Sequence, residues 1–530
     1  MAINVTSYTP KFRIVIIDLA LRNFTAIDTN SIDGLSSAFK ASIHTINTVR
    51  RIGDPAQFSI SLYPTPTGFT ASATAGINKA SWEHILNPMN YVTIYFSDPE
   101  SINSDGMTIV FRGFISSITR SLDISSGTPQ EMITINGGDW EKIAMFPIYN
   151  NYLAQNNPTI FSVDIIKAWN DTINSLAGIN GLLNPFTPSQ LMQEIFGDAT
   201  SGFFMPVAAK IANAISAAVK FNPTPGPQPI NTTLAPTLYD STLTDRLEVD
   251  KILTTFNPIV EISSIGTGPF TSIMEIFRAY QAAPWRELFF DDYENGQHLI
   301  YKPAFWYDIS GQALQVSTTG SDLELVFDPG APVNLSLPLT IGPKDYISYS
   351  LSRSDTNVQN IFATCMLTGE AIVNFQLVAA GVGINMLNPI IVGSNSSPFK
   401  PSDVQIFGAR PMIENSIYLD YGPNVQAIDV NGQQNNTIST NGGTLNLLLT
   451  SAMNHNELLS EGTITLEGYP SAHMGVNILF QKDATNTASR FYLEGVAHAF
   501  TQPSNYGDGS FLTTLTVTRG EDYLDAGHRS

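Results

Sequence analysis

Two stretches far apart in this chain carry the same order of strands and glycines, and a duplication of that kind fixes much of what the chain can become. The later stretch runs through Glu461–Pro470, His473–Phe480, Phe491–Phe500 and Phe511–Gly520. The earlier one runs through Asn90–Phe96, Val110–Ile118 and Glu131–Gly138. Each holds an alternating strand, a strand pair around a mid-strand glycine, and an alternating strand that ends at a glycine. From Gly113 to Gly138 is 25 residues, and from Gly495 to Gly520 is again 25. Alternation at period two marks half-buried strands. A glycine within a strand marks a bulge or a barrel corner. The pattern predicts two related β-barrels within one chain.

The 530 residues leave room for about three or four domains of common size. Phe12–Ile17 and Gln57–Leu62 read as strands, and Trp82–Leu86 as a short turn into the strand at Tyr91. The pattern changes near Asp139–Ile143, and from 161 to 221 the period becomes helical. Val163, Ile166, Trp169, Ile173 and Leu176 share a face, Ser189–Phe196 forms a short helix with Pro188 at its first position, and Val207–Phe221 forms an Ala-rich amphipathic helix. Four prolines between Asn222 and Pro229 end that helix in an extended linker. Leu243–Leu253 and Ser272–Ala282 have helical period, and Glu287–Asp292 with His298–Lys302 reads as a hairpin around Asn295-Gly296. Residues 345–380 return to β character. Residues 381–454 are rich in Asn, Gly, Ser and Thr and read as a loop-rich insertion at a surface or interface.

Composition narrows function. The formal charge is -20 with only 14% charged residues, so the chain lacks the Lys and Arg that tight phosphate contacts require. The single cysteine, Cys365, excludes an internal disulfide framework and sits in an apolar run that predicts an inert, buried thiol. Met1–Arg13 has no apolar core, and Ile14–Leu21 is short and broken by Asp18, so no secretory signal is expected. Phe203–Phe221 comes nearest to a membrane span but carries Pro206, Lys210, Asn213 and Lys220, so the interior of a helical region is the expectation.

The chemistry-bearing residues form no catalytic constellation. Asp291, Asp292 and Glu294 are the densest acidic cluster, and a carboxylate pair could serve glycoside hydrolysis. Their place at a hairpin favours a solvated turn. Asp245, Glu248 and Asp250 alternate with Arg246 and Lys251 as a solvated helix face. His84, His298, His473 and His498 stand isolated, without metal-ligand spacing. The expectation is no catalytic residue, no cofactor and no metal, in a component of an assembly.

The C-terminal motifs resemble the last barrel of the tail and baseplate hub proteins of contractile-tailed phages, with relatives in tailocins and type VI secretion spikes. Gly468, Pro470, Gly475, Val476, Tyr492, Glu494, Gly495, Val496, Thr514, Leu515, Thr516, Arg519 and Gly520 stand at the family's positions. Phe111–Ile115 with Ile133–Trp140 resembles the matching first-barrel segment. Ala283–Phe289 and Leu299–Phe305 resemble the middle domain, and Asp345–Asn357 the start of the second barrel. Together these blocks touch about half the chain.

The resemblance implies a mainly β fold with α+β parts. A first tube-like β-barrel would span residues 1–150, a helical and linker region 151–285, a small α+β domain 286–340, and a second tube-like barrel 341–530 with the insertion at 381–454. It also implies a homotrimer that adapts a six-fold tail tube to a three-fold spike. Its partners would be a tail tube or distal tube ring protein, a central spike protein, other baseplate proteins and a tape measure protein. DNA would pass the lumen without specific binding, and the acidic chain, about -60 for three copies, would not trap it. The protein would be made in the host cytoplasm and act in the virion baseplate, without stable membrane insertion. Two alternatives stay open: a polysaccharide-binding or -degrading tail protein, and a hexameric tail tube or distal tail ring protein.

Overall fold

The computed structural model describes residues 11–64, 81–98, 106–123, 130–145, 147–149, 188–199, 202–221, 234–240, 253–255, 270–281, 286–293, 296–303, 314–317, 324–327, 339–366, 390–391, 407–416, 418–420, 460–482, 488–502 and 509–522. The helical reading around Val163–Leu176, the proline linker, Asp245–Asp250 and Glu294 lie outside them. The fold is mainly β.

The N-terminal part opens with β1 (Phe12–Ile17), β2 (Ala26–Asp28), α1 (Gly34–Ser42), β3 (Ile43–Arg51) and β4 (Asp54–Leu62). It continues with α2 (Trp82–Ile85), β5 (Tyr91–Ser97), β6 (Met107–Asp123), β7 (Gln130–Gly138) and α3 (Trp140–Ala144). Every residue of β1 is buried because both faces of this strand are covered. Ile14 and Ile16 point into a core with Phe39, Phe58, Ile60, Trp82 and Phe111. Val15 and Ile17 point the other way, into the helices. Arg13 is tolerated in this buried strand because Asp28 accepts from its Nε at 3.0 Å and its Nη2 at 2.7 Å.

The middle of the chain contributes β8 (Pro147–Tyr149), α4 (Pro188–Phe196), α5 (Met205–Phe221), β9 (Thr237–Asp240), β10 (Leu253–Thr255), β11 (Phe270–Ser272) and α6 (Ile273–Tyr280). Then come the hairpin β12 (Arg286–Tyr293) and β13 (Gly296–Pro303), and the small pair β14 (Leu314–Ser317) and β15 (Glu324–Phe327). The Ala-rich α5 buries Val207, Ala208, Ile211, Ile215 and Ala218, at helical spacing, in one core with Phe277, Phe290, Leu299 and Trp140. No helix among the described residues is long and apolar enough to cross a membrane. A capping box starts α6: Ser272 accepts from Glu275 N at 3.1 Å, and Glu275 accepts from Ser272 N at 2.7 Å.

The C-terminal part contains β16 (Leu339–Ile341), β17 (Tyr346–Ser352), β18 (Ile361–Met366), β19 (Ile390–Ile391), β20 (Pro411–Ser416) and β21 (Tyr418–Asp420). It ends with β22 (Ser460–Glu467), β23 (Asn477–Gln481), β24 (Ala488–Thr501) and β25 (Ser510–Asp522). The described pieces of the segment read as a loop-rich insertion are largely strands. β20 runs parallel to β18, and β21 pairs with β10. Asn and Gly punctuate that segment, and the apolar Met412 and Ile413 supply strand character between them.

Among the described residues, thirteen strands form one sheet. Its path is β17-β22-β25-β24-β3-β4-β7-β6-β5-β1-β2, with β23 pairing β24 and β16 pairing β23. Two sets of six follow one another in it. The order β3-β4-β7-β6-β5-β1 reappears as β17-β22-β25-β24-β23-β16, with each strand in the same chain-order position. One sense differs: β1 is antiparallel to β5, whereas β16 is parallel to β23. Gly113 and Gly495 fall on the corresponding strands β6 and β24. Their shared 25-residue spacing is not a shared register. Gly138 lies opposite Phe114, beside Gly113, whereas Gly520 packs against Phe491, before Gly495.

The two sets are stitched where β24 runs antiparallel to β3, from Gly495↔Arg51 to Thr501↔Thr45. Phe500 and Phe511 cross this seam into the N-terminal core. Phe511 lies 4.3 Å from Phe96 and Phe500 lies 5.0 Å from Phe12, centroid to centroid.

Candidate functional site

The N-terminal sheet, the middle hairpin and the C-terminal sheet converge on one cluster of buried charge. β3 ends its buried register at Arg50, β6 brings Arg112, β12 brings Asp291 and Asp292, and the loop between β22 and β23 brings Ala472 and His473. Arg50 donates from Nη1 to Asp291 Oδ1 and from Nη2 to the Ala472 carbonyl at 3.1 Å. Asp291 Oδ1 also accepts from the Asp292 backbone at 2.9 Å, and Asp291 Oδ2 lies 3.2 Å from His473 Nδ1. Asp292 Oδ2 accepts from the Arg112 backbone at 3.0 Å, and its Oδ1 accepts from Gln297 Nε2 at 3.2 Å. Arg112 Nη1 closes the group by donating to the Tyr293 carbonyl at 3.0 Å. The His473 ring stacks on Tyr293, 4.3 Å apart and 5° from parallel.

The geometry corrects the expectation of a solvated turn: Asp291 and Asp292 are 0% and 1% exposed. It also corrects the reading of His473 and His498 as isolated. His473 meets Asp291, and buried His498 shares a hydrogen bond of 3.0 Å with Thr513 Oγ1. His298 sits half-buried against Thr237 and Tyr293. The register explains the error. Asp291 and Asp292 extend the apolar run Leu288-Phe289-Phe290 along the strand and pair with His298 and Gln297, before the turn begins. An acidic pair that directly continues an apolar strand was the available signal.

The charges are poised for cohesion. Burial pushes the Asp291 carboxyl up, but Arg50 and His473 outweigh it, and the group titrates below the ordinary carboxylate range. Burial dominates at Asp292 and holds it above that range against Arg112 and Arg50. Burial, with Arg50 and His473 as positive neighbours, keeps His498 well below the usual imidazole value. All four carboxylate oxygens of Asp291 and Asp292 accept from protein donors, so neither is presented to a substrate as an acid or a nucleophile. Glycoside hydrolysis through this pair loses its two carboxylates. Among the described residues no group of three His, Cys, Asp or Glu gathers as metal ligands.

A second contact secures the same hairpin. Lys302 donates to Tyr492 Oη at 2.8 Å, lies 3.3 Å from Glu287, and sits 4.9 Å above the Tyr492 ring. The loop leading into β23 must pass close by. Gly475 has φ +71°, and a Cβ there would stand 2.7 Å from Lys302 Cε and 2.8 Å from Phe289 Cζ. Glycine supplies both the left-handed backbone and the room. At the seam itself Arg51 reaches Glu494 at 3.1 Å on the exposed side, and the Ile52 amide donates to the Glu494 carbonyl at 2.9 Å. Gly475, Tyr492, Glu494 and Gly495, all positions of the C-terminal motif, thus sit where the chain's parts join.

No family model and no curated protein matches the chain. Among solved structures it is similar to the 43 kDa tail protein of prophage MuSo2 from Shewanella oneidensis, with 9% identity over 96% of this chain and 98% of that one and a TM-score of 0.41. It is similar to a tail protein from Neisseria meningitidis MC58, with 8% identity, 96% and 97% coverage and a TM-score of 0.43. A third is prophage tail protein gp18 from Listeria monocytogenes EGD-e, with 10% identity, 95% and 94% coverage and a TM-score of 0.39.

Proposed function

We propose that this chain is a structural hub of a phage tail baseplate, a homotrimer that joins a six-fold tail tube to a three-fold spike and lines the DNA conduit. The observation that carries the reading is the seam. Two six-strand sets of one order stand edge to edge in a single chain, joined by β24 and β3. Three such chains supply six strand sets, enough to match six tube subunits on one face while keeping three-fold symmetry on the other. The sets act as tube-like barrels once neighbours cover their edges.

The buried cluster supports the same reading. A symmetry adapter has to hold its two sets at a fixed angle under load. Arg50, Arg112, Asp291 and Asp292, all buried, clamp the middle hairpin between them, and the half-buried His473 closes on Asp291. The hub acts without hydrolysis of its own, and its partners are the tube ring and the spike. The -20 charge per chain keeps a passing polyanion from sticking.

Mass photometry of the purified protein, alone and with tube and spike partners, tests the assignment. Three copies per ring are expected. A protein that stays monomeric with both partners present, or closes as six identical chains, would sink it. Release assays on peptidoglycan and polysaccharide should be blank.

A further inference from the structure

We infer that an ordered water molecule is held inside the seam between β3 and β24 by Thr48, Arg50 and His498, and completes the hydrogen bonding of that joint. The inference concerns one chain and does not depend on how copies assemble.

Three buried polar atoms carry the inference. Thr48 Oγ1, Arg50 Nε and His498 Nε2 have no hydrogen-bond partner among the described residues, and the three side chains belong to residues at most 2% exposed. They share one place in the sheet. Thr48 and Arg50 lie two residues apart on β3 and so point to the same face. His498 lies directly opposite Thr48 across the seam. Side chains opposite one another on antiparallel strands stand about 4.5–5.5 Å apart at Cβ, and diagonal neighbours about 7–8 Å. Two further contacts set the directions. His498 Nδ1 meets Thr513 Oγ1 at 3.0 Å on β25, the strand on the other side of β24. The two nitrogens of an imidazole point in widely different directions, so Nε2 is turned away from β25 and towards the β3 side. Arg50 uses Nη1 on Asp291 and Nη2 on the Ala472 carbonyl, which leaves Nε–H, nearest its own strand, as the unused donor.

The chemistry of the set selects the ligand. A buried donor left unmet is costly, and buried waters typically make about three hydrogen bonds to groups of this kind. Arg50 Nε can only donate, the Thr48 hydroxyl can do both, and the neutral His498 ring offers either a donor or an acceptor at Nε2. A water meets all three in either imidazole tautomer: it accepts from Arg50, pairs with Nε2, and shares a hydrogen bond with Thr48. An anion is disfavoured, because Asp291 already balances the Arg50 charge. Aromatic rings close the surroundings. Phe96 and Phe511 lie 6.3 Å and 5.9 Å from the His498 ring, and Phe58 of β4 lies opposite Thr48. The water therefore belongs to the seam and not to the bulk solvent.

A crystal structure or cryo-EM map of the full chain, at a resolution that shows ordered solvent, tests this directly. One water is expected within hydrogen-bond distance of Thr48 Oγ1 and of at least one of Arg50 Nε and His498 Nε2. A direct hydrogen bond between Thr48 and His498, or an ion in that place, overturns the proposal. Thr48→Val gives an independent test whose sign decides, because valine keeps the shape of threonine and removes only its hydroxyl. With the water in place the variant loses a satisfied hydrogen bond, and its unfolding constant in urea should rise about fivefold to tenfold. Without the water, the substitution removes an unmet buried hydroxyl and should leave the protein as stable or more so. An unchanged or lowered unfolding constant therefore overturns the proposal as well.

Discussion

Arg50 and Asp291 lie 241 residues apart in the chain and form an ion pair that water does not reach. One belongs to the N-terminal sheet and the other to the middle hairpin, and His473 of the C-terminal part closes on the same carboxylate. Removing one partner from a buried pair leaves the other uncompensated, which costs more than the pair contributes.

Asp291→Ala should therefore destabilise the protein by about 3–5 kcal/mol. The double variant Arg50→Met with Asp291→Leu should be closer to wild type than either single change. Thermal unfolding of wild type, Asp291→Ala, the double variant and its two single changes makes the comparison. A neutral Asp291→Ala would show that the hairpin does not depend on this contact.

His498 gives a signed pH dependence. Its folded value is depressed, so the unfolded chain takes up the proton first as pH falls. The stability it contributes is complete above the unfolded value of about 6.5 and is lost as pH drops from there towards the folded value. Asp292 works in the opposite sense, because its folded value is raised: the native state binds that proton more readily in acid. The difference between wild type and His498→Gln isolates the histidine. Wild type should lose stability relative to the variant between about pH 6.5 and 5, and a constant difference would contradict this.

Gly475→Ala should be costly twice over. It places a side chain in the left-handed region, at about 1–2 kcal/mol, and pushes it into Lys302 and Phe289. Gly53 is the control, since it has φ +87° with nothing within 4 Å of its Cβ position. Gly53→Ala should pay the backbone cost alone. Limited proteolysis of the β12–β13 hairpin should accelerate in the first variant and not in the second.

Strand identity was legible in the sequence because alternation is a local property. β1, β4, β6, β7, β24, β25 and the β12–β13 hairpin all lie where Phe12, Gln57, Phe111, Ile133, Tyr492, Leu515 and Glu287 lead the pattern to expect them. The helix at Ser189 extends, as the Pro188 signal implies, from Pro188 itself. Register was not legible. Equal glycine spacings hide different registers: the β6–β7 pair shifts at Ile115/Ser117, whereas the β24–β25 pair shifts at both Arg490/Tyr492 and Leu493/Gly495. The buried cluster was missed for a related reason. Asp291 and Asp292 look solvated beside a turn because the groups that neutralise them, Arg50, Arg112 and His473, are supplied by strands and loops that no short window contains. The seam could not be seen either, since β3 and β24 are both ordinary alternating strands whose pairing is decided by what each lacks on its outer side.

The phenylalanines that cross the seam impose an order on biosynthesis. Phe96 and Phe12 leave the ribosome well before their partners: Phe511 follows Phe96 by 415 positions, and Phe500 follows Phe12 by 488. At about 5–20 residues per second the N-terminal sheet waits roughly half a minute, with the outer edge of β3 open and its core two aromatic rings short. Completion of the first part of the molecule thus waits on synthesis of β24 and β25, and a product truncated before them would lack the pieces needed to hide its own sticky edge.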